Sequence, residues 1–168
     1  MPTASRASFV GLGEKWGLIA RTLDGGYFDG YSAFRLKDVG RVHRDTTFQS
    51  RFARTQPEWP PTPPPVDLDS TVGVLRSLAT FAPLVGIEKA NERDALWIGV
   101  PVKVGPKWTW LHEVRPDATW QHKPLGYKTR QITNVQVGDH YMTALAAMAG
   151  ERPSPGSDHA PRNRPWDG

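Results

Sequence analysis

Two runs rich in β-branched and aromatic side chains, ASFVGL at residues 7–12 and WGLIARTL at 16–23, flank Gly13-Glu14-Lys15 and predict a hairpin. After a second turn at LDGG, Phe34 and Leu36 alternate with Arg35 and Lys37. That period of two predicts a strand with the apolar pair inward and the cations outward. The following Lys-Asp-Val-Gly-Arg-Val reads as one tight turn with Val39 inward, then a last short strand over residues 41–44. Phe48 and Phe52, four positions apart, predict a short helix capped by Asp45 or Thr46.

Residues 57–65, PEWPPTPPP, carry six prolines, which excludes helix and interior strand and predicts a stiff extended linker. DLDSTVGVLRSLATFAPL then places Val72, Leu75, Leu78 and Ala79 on one helical face, with Asp69 or Ser70 as cap and Pro83 as stop. Beyond it the pattern predicts two strands around a polar turn at residues 91–94 and a third at WTWLHEV. A fourth and fifth fall in GYKTRQITNVQV, and HYMTALAAMA predicts a closing helix. Residues 151–168 hold too little apolar content to order themselves and predict a disordered tail.

The stretch DGYSAFRLKDVGRV returns as PLGYKTRQITNV at an offset of 93 residues. At that offset Leu18 meets Leu111, Asp24 meets Asp117, Phe34 meets Tyr127, Val39 meets Ile132, Val42 meets Val135 and Phe48 meets Tyr141. An ungapped match of apolar positions in the same order predicts a duplicated unit. The alternation apolar-basic-apolar-basic, followed by Val or Ile and a second Val, is similar to the last strands of SH3-like and Sm-like small barrels. At family level the chain resembles uncharacterised bacterial proteins that carry paired barrels of this kind, over residues 8–54 and 84–149. The resemblance implies an α+β, mainly β fold: tandem duplicated SH3-like or Sm-like barrels joined by a Pro-rich linker and a central helix. The expected segments are residues 6–56 (first barrel and short helix), 57–66 (linker), 67–150 (helix, second barrel and closing helix) and 151–168 (tail). It also implies a tendency to bind RNA, DNA or peptides rather than an activity.

Composition sharpens this in three ways. With no Cys, the chain has no disulfide framework, thiolate metal site or cysteine nucleophile. The amino end lacks the apolar run of a signal peptide and nothing later is long enough to span a membrane, so a cytoplasmic location is the expectation. The net charge is +4, and the excess lies between Arg35 and Arg54, where six cations meet only Asp38 and Asp45.

No catalytic motif, phosphate-binding loop or metal-ligand spacing occurs, so neither an enzyme nor a cofactor or metal is expected. Arg35, Lys37, Arg41, Arg44, Arg51 and Arg54 are candidate polyanion contacts. Outward cations that protect a sheet edge account equally for Arg35 and Lys37 and for their equivalents Lys128 and Arg130. Trp16, Trp97, Trp108, Trp110 and Trp120 fall in or beside strands, where core filling is the default. Trp59 with Pro60 and Pro63 is a candidate self-ligand for an aromatic groove, or a spacer whose Trp packs on the nearest apolar surface. The expected function is a non-catalytic interaction or adaptor protein with an unknown protein partner. Nucleic-acid binding through the basic strip is the alternative.

Overall fold

In the computed structural model, which describes residues 7–154, the chain opens with an antiparallel meander of β1 (Ala7–Leu12), β2 (Trp16–Thr22) and β3 (Phe28–Arg35). A one-turn 3-10 helix, η1 (Leu36–Asp38), ends β3, and residues 39–46 lack regular structure before α1 (Phe48–Ala53). After the Pro-rich stretch come α2 (Thr71–Phe81), β4 (Val85–Lys89), β5 (Glu92–Val104), β6 (Trp108–Glu113) and β7 (Leu125–Lys128). A second one-turn 3-10 helix, η2 (Thr129–Gln131), leads into β8 (Ile132–Val137) and α3 (His140–Ala149). Residues 155–168 of the expected tail lie outside the described residues.

The expected pair of closed SH3-like or Sm-like barrels is not what forms. All eight strands join one open antiparallel sheet in the order β1-β2-β3-β8-β4-β5-β6-β7. The reason lies in residues 39–46, where the expected strand over residues 41–44 is absent and Val39 is 39% exposed rather than inward. Without that strand the first meander cannot close on itself. Its free edge on β3 is taken by β8, which pairs with β3 through Tyr31–Val137 and Phe34–Asn134 and with β4 on its other side. β8 suits a central position, because Ile132, Val135 and Val137 are all fully buried.

The 93-residue offset survives in the elements, since η1 and η2 match at both ends. The hairpin register does not survive. Gly17 faces Phe34 in the first hairpin, whereas Trp110 faces Gly126 in the second, one residue away from the equivalent pairing. A one-residue slip sends side chains to opposite faces. Leu18 and Leu111 both reach the core, but Phe34, expected inward with Leu36, lies on the face opposite the buried Ala33 while Tyr127 is buried. Gly30 sits at φ 73°, and a Cβ there would come within 2.3 Å of the Val137 carbonyl, so only glycine permits this approach of β3 to β8.

Helix α2 covers the inner face. Ser70 Oγ accepts from Gly73 N at 2.9 Å as its cap, and Val74, Leu75 and Leu78 pack with Trp16, Leu18, Ile87, Leu111 and Val135 in the main core. A smaller cluster of Leu84, Ile98, Val114, Met142 and Leu145 seats α3, which Asp139 caps by accepting from Met142 N at 2.6 Å. No helix among the described residues is long and apolar enough to cross a membrane.

Candidate functional site

The six expected polyanion contacts divide between the two ends of β3. Arg35 closes the strand, where its Nε donates to Asp38 Oδ2 at 2.5 Å and its Nη1 to the Arg130 carbonyl at 2.9 Å. Lys37, one turn on, is exposed, as are Arg41 and Arg44 in the irregular segment. Arg51 and Arg54 lie on and just after α1, which packs at the other end of β3 through Phe52 against Tyr27, ring centroids 5.1 Å apart. An eight-residue strand, about 23 Å long, therefore separates Arg35 and Lys37 from Arg51 and Arg54, and Arg44, next to the Asp45 that Ser50 holds, lies with the second pair.

Arg54 is occupied differently: its guanidinium lies 5.6 Å over the Trp59 ring, whose other neighbour is Phe28, stacked at 6.5 Å. The Trp59–Pro60 bond is cis. Three residues on, the Thr62 carbonyl accepts from Tyr31 Oη at 2.6 Å, and Tyr31 in turn meets Phe81 edge to face at 5.7 Å. Residues 59–62 thus follow the aromatic row of β3. Pro60 and Pro63 stay exposed and Pro64 is buried.

The Arg35–Arg130 hydrogen bond brings η1 against η2, so the cations of the two equivalent stretches share one surface. Immediately beyond lie two tryptophans expected in the core. Trp108 and Trp110 are 47% and 41% exposed. They alternate with the fully buried Thr109 and Leu111 along β6, which puts both indoles on the outer face, about 7 Å apart along the strand. Trp110 stands directly opposite Gly126, and an added Cβ at Gly126 would lie 3.3 Å from three atoms of its six-membered ring. One face of this indole is therefore backed by glycine. Cross-strand partners share a face, so Lys128 beside Trp108 and Lys103 beside Trp110 flank the pair.

Charge segregation completes the surface. Residues 95–112 and 118–138 contain Lys103, Lys107, Lys123, Lys128 and Arg130 but no Asp or Glu. Only Glu113 and Asp117 interrupt, and Glu113 is buried and held by the Tyr127 hydroxyl. The sequence signal available for this site was the WTW spacing with a glycine on the neighbouring strand. Averaging charge over the whole second half concealed it.

Other polar groups serve the fold. Burial pushes the Glu113 carboxyl above its ordinary range, against the hydrogen bond from Tyr127 and the Lys89 charge, which pull it down. Burial, together with Glu113, pushes Tyr127 up, and Lys89 Nζ lies 4.1 Å over the Trp97 ring. Glu88 is also raised by burial, and it accepts from Gln136, which itself accepts from Arg21. Among the described residues, no three His, Asp or Glu side chains are grouped to hold a metal ion. Compared with family models, curated proteins and solved structures, the chain matches none.

Proposed function

We propose that this chain is a non-catalytic binding module for single-stranded nucleic acid, held on the outer face of β5, β6 and β7. The observation that carries the reading is the Trp108–Trp110 pair, with Trp110 backed by Gly126 and 41% exposed. A flat ring with one supported face and one open face is what a base stacks on, without need of base-edge hydrogen bonds. Lys103 and Lys128 flank it, which suits the phosphate backbone. Duplex would offer this surface phosphates but no open base face.

Fluorescence anisotropy with a labelled mixed-sequence single strand at low salt tests the reading. The wild type binds, and Trp110→Ala and Trp108→Ala each weaken binding by about 1–3 kcal/mol, the contribution of one stacked base. Absence of binding at low salt, or binding by both variants as tight as that of the wild type, overturns the proposal.

A second reading, an adaptor for a protein partner, is supported by a different observation. The segment from Trp59 to Thr62 lies on Phe28 and Tyr31 as a proline-rich ligand lies on an aromatic groove. A partner that binds without salt dependence, and is lost on Phe28→Ala, distinguishes it.

A further inference from the structure

Strand β3 begins beside a cavity of about 270 Å³ that distant parts of the chain line together. Leu23 and Tyr27 come from the β2–β3 turn, Phe28 from the start of β3, Glu58 from the Pro-rich stretch and His140 from the first turn of α3. The buried Asp29 fixes one of its polar groups. Its Oδ1 accepts from His140 N at 2.9 Å and lies 2.7 Å from His140 Nδ1. A carboxylate oxygen only accepts, so Nδ1 carries the hydrogen, and in the neutral ring Nε2 is the free acceptor. The imidazole is 76% exposed despite this anchor. Capping α3 does not require the ring, because Asp139 accepts from Met142 N and Asp29 already holds the His140 backbone N–H. Glu58, the other polar group of the lining, has no hydrogen-bond or ion-pair partner among the described residues.

We propose that this cavity binds a guanidinium group carried on an apolar stem, at a site apart from β5, β6 and β7 and independent of the nucleic-acid reading. Glu58 supplies a negative charge and two acceptor oxygens, and His140 Nε2 supplies a third acceptor. A planar guanidinium, with five N–H donors in a fixed fork, meets several acceptors at once. Its flat faces stack on aromatic rings, which Tyr27 and Phe28 provide. The same chemistry is already at work next door, where Arg54 lies 5.6 Å over the Trp59 ring and Trp59 stacks on Phe28. Arg54 does not line the cavity and leaves the Glu58 carboxylate unpaired. An ammonium, a compact point charge, lacks the plane that stacks, and an anion meets Glu58. Two sources carry the group: an arginine side chain of a polypeptide and a small free guanidine.

The test is an NMR titration of the full isotope-labelled chain with N-acetyl-arginine amide, ethylguanidinium and N-acetyl-lysine amide. The arginine derivative saturably shifts the amide signals of Leu23, Tyr27, Phe28, Glu58 and His140, with the roughly millimolar affinity that so few contacts allow. Glu58→Gln and His140→Phe, both at exposed side chains, each weaken it at least about tenfold by removing an acceptor. The lysine derivative binds at least about tenfold more weakly than the arginine derivative. Ethylguanidinium bound as tightly as the arginine derivative assigns the site to a small free guanidine, and weaker binding assigns it to a polypeptide arginine. Oligonucleotide binding is unchanged in Glu58→Gln, which keeps the two sites distinct. Absence of a saturable shift at these residues up to about 50 mM, far above the expected range, overturns the proposal. So does wild-type affinity in either variant, or equal binding of the lysine derivative.

Discussion

At the scale of single residues, glycine is as informative as the tryptophans it supports. Gly126→Val should displace the Trp110 ring, because branching adds atoms where one Cβ already lies 3.3 Å from it. Oligonucleotide binding should drop as far as for Trp110→Ala, with thermal stability changed much less than binding. A second test concerns Glu113, whose carboxyl burial holds above its ordinary value of 4.5. The folded chain then keeps a proton that the unfolded chain releases. Stability from this source is full below the unfolded value and is lost as pH rises through the folded one. Glu113→Gln keeps an acceptor for the Tyr127 hydroxyl and should flatten the decline of the thermal midpoint above pH 4.5. Parallel curves for variant and wild type would refute the role given to this carboxyl. At this scale the sequence was legible for Leu18, Leu111 and Trp16, which are core in either hairpin. It was not legible for Trp108, Trp110 or Phe34. Period two says that alternate residues share a face, but which face is inward is decided by register, and register is set by the partner strand.

At the scale of elements, most local signals held and non-local ones did not; an exception is the cap of α1, expected at Asp45 or Thr46 and found at Thr47. Helix α2 runs from Thr71 to Phe81 behind its Ser70 cap and ends before Pro83, because cap, periodicity and stop all lie within its own residues. Leu75→Ala, at a fully buried position, should cost about 2–5 kcal/mol in denaturant unfolding, and Ser70→Ala only about 1 kcal/mol. The hairpins and the closing helix α3 were legible for the same reason. The strand expected over residues 41–44 failed because a strand exists only when something pairs with it, and the place beside β3 goes to ITNVQV of β8. Three β-branched core residues there outweigh a segment of basic side chains around one valine.

At the scale of the whole molecule, the shared strand joins what the repeat suggested were two bodies. Residues 7–56 and 67–150 meet in one sheet and one main core, so denaturation should follow a single transition by fluorescence and circular dichroism alike. Residues 1–66 expressed alone should be unfolded. The expectation that the basic strip belongs to the first half also changes. Because η1 touches η2, neutralising Lys128 and Arg130 should reduce the salt slope as much as neutralising Arg35 and Lys37, by about 1.4 in each case. The candidate site was hidden at this scale because its lysines were averaged with the acidic residues elsewhere in the second half of the chain. The central position of β8 also bears on how the protein is made. It is the last strand to leave the ribosome, yet β3 waits for it with an open edge through about one hundred residues of synthesis. At roughly 5–20 residues per second that interval lasts on the order of 5–20 seconds, far longer than a hairpin takes to form. During it the nascent first half should present an unpaired β edge, so its soluble yield should fall when translation between residues 36 and 137 is slowed.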